Sequence, residues 1–562
     1  MKKWRIIRGQ EARGRGQEES SLLTQLLENR GVVGAAAVER FLNPKLAFLN
    51  DPFEIPNIQA AAARVLQAKE RREKVTVYGD YDVDGVTGTA IMVEALKHIG
   101  LDASYYIPHR YGEGYSLSVE SVRKIAGDGT RLLLTVDCGI SSAKEIEAAR
   151  QAGLEVIVTD HHNLPQSLPN AFAIVNPKQI VGEHPSKNLS GAGVAFKFAW
   201  ALLRSAGDKD SVFLTSLLDL AALGTFSDVV PLILENRIIA AAGLKLINER
   251  KRLGLKLLAE AASLNGELSA NHIYFALAPR LNAAGRIEHA SKAVELLLSE
   301  NPLVAGETAK ELSRINSRRQ DIGSAIKEEV FFQLDDTYIA EHKLIVLAGD
   351  NWHPGVIGIV ASQVAETFSR PTVLIGINDG VGRGSARSID GLSIYKILET
   401  CRDLFLDFGG HEGAAGFEIE TDKIPELRSR LKKLVDETIN PAELVATVEI
   451  DAELFPDQIS LGLIKQINRL APFGEGNEPP VFMVRDLQLA DFKKVGKTGK
   501  HFKAWFSKNG VELETIGFGL GGFADKMDHA KLYDIAFNLE SNEFNGFEKA
   551  QLSLIDIREA AR

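Results

Sequence analysis

Residues 77–91 read VYGDYDVDGVTGTAI and place Asp80, Asp82 and Asp84 at alternate positions before Gly85. The spacing D-x-D-x-D-G opens a calcium loop of the EF-hand type, which needs a bidentate glutamate at its twelfth position. Counted from Asp80, that position is Ile91. The preceding residues, KVTVY at 74–78, are rich in β-branched side chains and predict a strand where an EF-hand has a helix. The calcium reading fails on both counts. A strand ending in crowded acids suits instead an α/β sheet, which binds ligands at the carboxyl ends of its strands.

The same unit repeats outward from this stretch. Strand-like runs RLLLTVDCG (131–139), LEVIVTDHH (154–162) and AFAIVNP (171–177) alternate with helical segments TGTAIMVEALKHIG (87–100) and SSAKEIEAARQAG (141–153). This alternation predicts right-handed βαβ units and a parallel sheet, followed by a mainly helical portion to about residue 300. Between 304 and 333, Leu312, Ile315, Ile322, Ile326 and Val330 recur at helical spacing and predict a long amphipathic helix joining two domains. A second α/β unit begins at KLIVLAGD (343–350), with strands near 343–348 and 372–377 and a helix near 356–368. After INPAELV (439–445) short strands predict a small all-β barrel or sandwich. The expected fold is α/β multidomain: an N-terminal segment 1–50, a parallel-sheet catalytic domain 51–302, a connecting helix 303–340, a second smaller α/β domain 341–437 and a C-terminal all-β domain 441–562.

Bulk properties narrow the function. A chain of 562 residues exceeds one ordinary core, and 45% hydrophobic with 25% charged residues describes a soluble globular protein. The basic start MKKWRIIRGQEARGRG has no apolar segment, which argues against a secretory signal. The most apolar run, 211–234, is interrupted by Asp219 and Asp228, which argues against a membrane span. Cys138 and Cys401 are the only cysteines, which excludes a disulfide framework or a Cys-based zinc site and suits a cytoplasmic location. With a net charge of −10, contact with nucleic acid must use a local basic surface. No G-x-x-x-x-G-K-[ST] motif indicates ATP hydrolysis.

Three strand ends finish in metal-ligand chemistry: the acids of 80–84, Asp137 in VDCG, and Asp160, His161 and His162 in TDHH. Asp228 in GTFSDVVPL follows an apolar helical run. One strand-end Asp is usually an N-cap or turn residue, and one histidine pair is usually structural. Four such places in one domain point to a metal site. In an extended segment Asp82 and Asp84 would share one side, roughly 6.5 Å apart, which suits two neighbouring ions. Crowded buried carboxylates cannot all ionise without cations, and a pair of divalent ions relieves this while forming a hydrolytic centre. Mixed carboxylate and imidazole donors fit Mn²⁺, with Mg²⁺ as the oxygen-preferring alternative.

These four motifs resemble those of the DHH phosphoesterase superfamily. The resemblance continues in order through LSGAGVAFK (189–197), APRLNAAGRI (278–287), GDNWHPGVIGIVASQV (349–364), GRGSARS (382–388), GGHEGAAGF (409–417) and LAPFGEGNEPPVF (470–482), and is to the RecJ family within that superfamily. It implies a DHH catalytic domain, a DHH-associated domain and an OB-like domain, acting together as a metal-dependent 5′→3′ single-stranded-DNA exonuclease that releases 5′-mononucleotides. Two Mn²⁺ or Mg²⁺ ions would be its cofactors. Asp82 and Asp137 match ligands of one ion, and Asp84, Asp137, His161 and Asp228 match those of the other, with Asp137 bridging. His162 matches the catalytic histidine, beside Asp84 as the second catalytic assignment, and Asp80 matches ligation or support of a ligand. Some members of the superfamily place a histidine where Tyr78 stands here.

Phosphate-gripping candidates follow. A lone arginine is most often a solvated charge, but beside this centre Arg110 (with Tyr111 and Tyr115), Arg280, Asn282 and Arg286 are candidates for substrate contact. GRGSARS and GGHEGAAG read as glycine-rich loops that bring N–H groups to phosphate, and the resemblance makes Ser385, Arg387 and His411 substrate-end contacts. KKVGKTGKHFKAWF (493–506) holds Lys493, Lys494, Lys497, Lys500 and Trp505, expected to follow a strand's backbone and stack on its bases. Whether Phe502 and Phe506 stack too or belong to a core stays open on alternation alone. The resemblance implies partners in recombination and repair, single-strand-binding protein and a helicase, and no membrane. Two rivals share some of these features: a nanoRNase or cyclic-dinucleotide phosphodiesterase, and a non-catalytic single-strand-binding scaffold.

Overall fold

The β-branched run forms strand β1 (Lys74–Gly79), buried at every position after its first. Around it lie β2 (Ala103–Tyr106), β3 (Thr130–Val136), β4 (Glu155–Thr159) and β5 (Ala173–Val175). Their spatial order is β2-β1-β3-β4-β5, with every pairing parallel. The order changes direction between β1 and β3, the switch point where open α/β sheets bind ligands. The computed structural model describes residues 2–7, 19–110, 113–114, 116–496, 498–544 and 547–560. Two compact units divide the chain, one of Arg5–Ser313 with Glu449–Arg562 and one of Met1–Trp4 with Arg314–Val448.

In the first unit, helices α1 (Val83–His98), α2 (Gly191–Ser205) and α3 (Leu218–Ser227) pack on one another, and α1 also packs on β1. All three are rich in buried residues, because each is covered on more than one side. Further on lie α4 (Leu234–Glu249) and α5 (Ala278–Ile287). The expected connecting helix is α6 (Pro302–Gln333), and Leu312, Ile326 and Val330 are buried on it while Ile322 is partly exposed.

The second unit contains β6 (Ile345–Asp350), α7 (Pro354–Phe368), β7 (Thr372–Asn378), β8 (Val381–Arg387), β9 (Phe405–His411), β10 (Ala414–Glu420) and α8 (Ile424–Thr438). The sheet runs β9-β10-β8-β7-β6, and only β6 and β7 are parallel. This corrects the reading of GRGSARS and GGHEGAAG as loops: both lie mostly in antiparallel strands. The glycines are there for space. A Cβ on Gly384 would meet the ring of Phe417 at 2.1 Å, and that ring belongs to the unit's buried core.

The C-terminal strands β11 (Ala452–Glu453), β12 (Phe482–Val495), β13 (His501–Lys508), β14 (Val511–Gly517), β15 (Leu532–Phe544) and β16 (Phe547–Glu559) close into a barrel because β12 pairs with both β13 and β15. Phe482, Phe502, Phe506 and Phe537 fill it. The two phenylalanines left open by alternation are therefore core, and Trp505 faces outward between two lysines. The N-terminal segment contributes helices Glu19–Asn29 and Ala35–Leu42, whose Leu26, Leu27 and Phe41 join the barrel's core. Arg237 on α4 ties the barrel to the helices beside the parallel sheet. Fully buried, it lies over the Phe41 ring and donates to the carbonyls of Phe41 (2.7 Å) and Ala471 (2.8 Å).

Gly384→Ala forces the Phe417 ring to move, and is expected to destabilise the second unit by about 1–3 kcal/mol. Denaturant unfolding of the full chain measures this, and an unchanged midpoint would refute the packing role given to this glycine.

Candidate metal centre

Four strands end level with one another. Gly79 pairs with Val136, Val136 with Thr159, and Thr159 with Val175. The next residues, Asp80, Asp137 and Asp160, each donate an N–H to the neighbouring strand's last residue, Val136, Thr159 and Val175, at 3.3, 3.0 and 3.1 Å. The ladder therefore presents three acids in a row at the switch point. Asp137 sits in left-handed backbone at φ 61°, a conformation uncommon outside glycine and concentrated at functional sites.

The extended geometry expected for Asp82 and Asp84 is corrected, because the helix begins earlier than its apolar pattern suggests. Asp82 is the N-cap of α1, accepting from Gly85 N–H at 3.0 Å, and Asp84 lies in the first turn. Asp84 is buried and accepts from Gly191 and Ala192 N–H, at 2.5 and 2.9 Å, where α2 starts. Two helix N-termini thus face one carboxylate, the favourable end of both dipoles. Close approach depends on glycine. A Cβ on Gly191 would lie 2.5 Å from Asp137 Oδ1, and one on Gly224 of α3 would lie 2.6 Å from Asp84 Oδ1. Asp228 caps the opposite, carbonyl end of α3, where a carboxylate is disfavoured unless a cation accompanies it.

The donors gather into three overlapping groups whose ligand atoms lie within 4.8 Å of one another: Asp84, His161 and Asp228; Asp80, Asp82 and Asp137; and Asp137, His161 and His162. His161 Nε2 stands 3.1 Å from Asp137 Oδ1, 3.5 Å from Asp228 Oδ2 and 4.0 Å from Asp84 Oδ2. Asp80 Oδ1, Asp137 Oδ1, His161 Nε2 and Asp228 Oδ2 are buried with no hydrogen-bond partner. Unsatisfied buried polar atoms cost about 1–3 kcal/mol each, so four at one place fit an ion site and little else. Burial, followed by the neighbouring acids, pushes Asp84 up to about 7 and Asp228 up to about 10, and it raises Asp80 and Asp137 well above the usual carboxylate range. Burial and then His162 push His161 down to about 3, leaving the neutral imidazole that a metal requires. Carboxylates with one imidazole suit Mn²⁺ or Mg²⁺.

Asp160 does a different job. Its Oδ2 accepts from Ile140 N–H at 2.9 Å, and its Oδ1 accepts from the N–H groups of His161 (2.7 Å) and His162 (3.0 Å). His162 Nδ1 also lies 2.7 Å from Oδ1. Although burial opposes it, this contact raises the His162 pKa and, in return, keeps Asp160 below the usual range. Asp160 thus orients the histidine. Tyr78 donates its hydroxyl to the Ser116 carbonyl at 2.9 Å.

The chain matches the DHH family, N-terminal domain, over residues 74–225, the DHHA1 domain over 341–437 and the RecJ OB domain over 450–556. It is 39% identical to the single-stranded-DNA-specific exonuclease RecJ of Bacillus subtilis (strain 168), across 95% of this chain and 67% of that one. With its counterpart in Escherichia coli (strain K12) it shares 36% identity across 95% of each chain. The chain belongs to the RecJ family. The crystal structure of RecJ in complex with Mn²⁺ from Thermus thermophilus aligns with a TM-score of 0.82 at 31% identity, covering 100% of this chain and 80% of that one. The Mg²⁺ complex from the same organism aligns at 0.76.

The remaining RecJ-like candidates occupy varied places. Arg110 lies 4.8 Å over the Tyr81 ring, whereas Tyr111 and Tyr115 lie outside the described residues. Arg280 donates to the Ala276 carbonyl (2.8 Å) and Ser313 Oγ (3.2 Å), so part of its fork is already engaged. Asn282 Oδ1 accepts from Val83 N–H at 3.1 Å, which makes it a support for the start of α1. Arg286 lies in the last turn of α5, half-buried. In the second unit, Arg387 donates to Ser385 Oγ (3.2 Å) and Ser362 Oγ (3.1 Å), and His411 is exposed at the end of β9. On the barrel, Lys493 and Lys503 flank the Trp505 ring at 5.3 and 5.1 Å, Lys494 pairs with Asp525 at 2.8 Å, Lys500 is exposed, and Lys497 lies outside the described residues. Sequence reasoning counts Asp160 with the metal-ligand strand ends and not as the support of His162, and assigns no role to the Gly191 and Ala192 N–H donors. The helix-cap pattern S-G-A-G at 190–193 is their only local signal.

Raised carboxyl pKa values stabilise the metal-free fold most below the unfolded value of about 4, and that contribution is lost as pH rises through about 7 for Asp84 and toward about 10 for Asp228. In EDTA, Tm should therefore fall between pH of about 6 and about 9. Because cations displace those protons, the rise in Tm on adding Mn²⁺ should be larger at the higher pH. Thermal melts check this, and a pH-independent Mn²⁺ shift would contradict the assignment.

Proposed function

We propose that the chain is a two-metal exonuclease that hydrolyses single-stranded DNA from its 5′ end to 5′-mononucleotides, in recombination and repair. The observation that carries this reading is the set of four buried, unpartnered ligand atoms at level strand ends, in a chain of the RecJ family. Asp82, Asp137 and Asp80 would hold one ion, and Asp84, Asp137, His161 and Asp228 the other, with Asp137 shared. When bound, Mn²⁺ or Mg²⁺ supplies positive charge at the scissile phosphate and activates water. His162, held through Nδ1 by Asp160 and raised in pKa, keeps a proton on Nε2 for the departing 3′ oxygen.

Arg110, Arg280 and Arg286 supply cationic groups for phosphate on the catalytic part, with Asn282 supporting α1, and Ser385, Arg387 and His411 are the substrate-end contacts of the second α/β unit. The stretch Lys493, Lys494, Lys497, Lys500 and Trp505 gives the barrel a track on which a strand can bind and stack. This assigns catalysis to 51–302, end recognition to 341–437 and strand binding to 441–562, with the connector at 303–340. Cytoplasmic action beside a helicase and single-strand-binding protein follows from the same reading. Among the described residues no helix is long and apolar enough to cross a membrane. A cyclic-dinucleotide phosphodiesterase would have little use for the barrel, and a scaffold would have no reason to keep unpartnered buried acids.

The test is a 3′-labelled single-stranded oligonucleotide beside its duplex, incubated with Mn²⁺, Mg²⁺ or EDTA. Stepwise shortening from the 5′ end, absent in EDTA and weak on duplex, is expected. Asp84→Ala should reduce the rate by at least about 100-fold, since loss of even a ligand's supporting partner costs about 10–100-fold. Cleavage of dinucleotides alone would favour the phosphodiesterase, and normal cleavage by Asp84→Ala would overturn the ligand assignment.

A further inference from the structure

Far from the metal ligands, three charged side chains join the helices that carry them. Arg252 precedes the helix Leu253–Ala261. Its Nε lies 2.7 Å from Asp219 Oδ2, and its Nη1 and Nη2 lie 2.5 and 3.2 Å from the two oxygens of Glu94. Nη1 also donates to the Leu297 carbonyl at 3.3 Å, on the helix Ser291–Leu298 that packs on α1. The three side chains are largely buried, with exposures of 12% for Arg252, 23% for Glu94 and 8% for Asp219.

The positions of the two acids matter. Glu94 belongs to α1, whose first turn holds Asp84 behind the N-cap Asp82, and Asp219 belongs to α3, whose C-cap is Asp228. At 1.5 Å of rise per residue, Glu94 lies about 15 Å along α1 from Asp84, and Asp219 about 14 Å along α3 from Asp228. The helices are therefore antiparallel and pinned at two points. Near the ligands the pin is Gly224, where a Cβ would sit 2.5 Å from Thr87 Oγ1 and 2.6 Å from Asp84 Oδ1. At the far end it is the Arg252 fork. Side-chain packing along their lengths joins the two helices, and the Arg252 fork adds a directional, charged tie at the end far from the ligands.

We propose that Arg252 is a positioning residue that sets the separation of Asp84 and Asp228 by clamping Glu94 to Asp219, and so tunes affinity for the ion those ligands share. The inference rests on the two-ion reading above. A planar guanidinium can bridge two carboxylates, whereas a lysine ammonium is a point charge that satisfies one at a time. Arg252→Lys keeps the charge while losing the bridge.

The experiment is direct titration of Mn²⁺ into the full chain by calorimetry, with melting curves run in parallel. Arg252→Gln is expected to bind Mn²⁺ about tenfold more weakly, the low end of the loss for a group bonded directly to a ligand, with Arg252→Lys between it and the wild type. The destabilised control is Phe537→Leu in the barrel core, which should melt earlier yet bind Mn²⁺ as the wild type does. Wild-type affinity in Arg252→Gln overturns the clamp. Where that variant does not fold, Arg252→Lys decides alone: weakened binding supports the clamp and wild-type binding overturns it. An equal loss of affinity in Phe537→Leu overturns it as well, because instability in general would then loosen the site. A wild-type chain that takes up no Mn²⁺ would instead overturn the two-ion reading itself.

Discussion

Mutual repulsion among carboxylates withdrawn from water governs this molecule. Asp80, Asp84 and Asp137 are buried, Asp228 is partly so, and all four lie close to one another, each driven toward its protonated form. Nothing in the fold relieves all of them. Asp84 has two backbone donors and Asp82 has one, but Asp80, Asp137 and Asp228 each keep a buried oxygen without a partner. Without cations these groups are relieved only by taking up protons, and divalent cations would relieve them in their charged form, so the residues that make the metal-free fold costly at high pH are those that fit a metal.

The surrounding architecture serves to concentrate these charges. A parallel sheet with level strand ends lines up Asp80, Asp137 and Asp160, and the change of strand order between β1 and β3 opens the crevice beside them. Glycines at 191 and 224 then allow two helices to approach closer than any side chain would permit. Arg252 acts at the opposite ends of the helices that carry Asp84 and Asp228. Geometry at the candidate ligands is thus held both by contacts at the site and by contacts about three helical turns away.

Much of this is legible in local patterns, and the failures share one cause. Apolar runs alternating with helical segments locate the parallel sheet, the 3.6-residue period locates the connecting helix, and short strands locate the barrel. GRGSARS and GGHEGAAG read wrongly as loops because glycine signals a turn locally, whereas here Gly384 makes room for Phe417 from another strand. Asp82 and Asp84 read as an extended segment because N-caps look like loop residues until the helix behind them is seen. Phe502 and Phe506 lie inside the barrel and Trp505 outside, which alternation describes but cannot orient. The long hairpin of β15 and β16 goes unread although Tyr533, Ile535, Phe537 and Leu539 alternate and are all buried.

Residue order alone settles the class of chemistry. Acids and histidines at the ends of apolar runs need cations wherever they meet, and their motifs in order mark the family. Which atoms meet is a matter for the folded chain. Asp80 joins a ligand cluster, Asp160 turns to His162, Asn282 supports α1, and Glu94, Asp219 and Arg252 converge although widely separated in sequence. Local patterns report the environment each residue needs, whereas partnership depends on strand order, helix spacing and the few points where glycine lets two backbones approach.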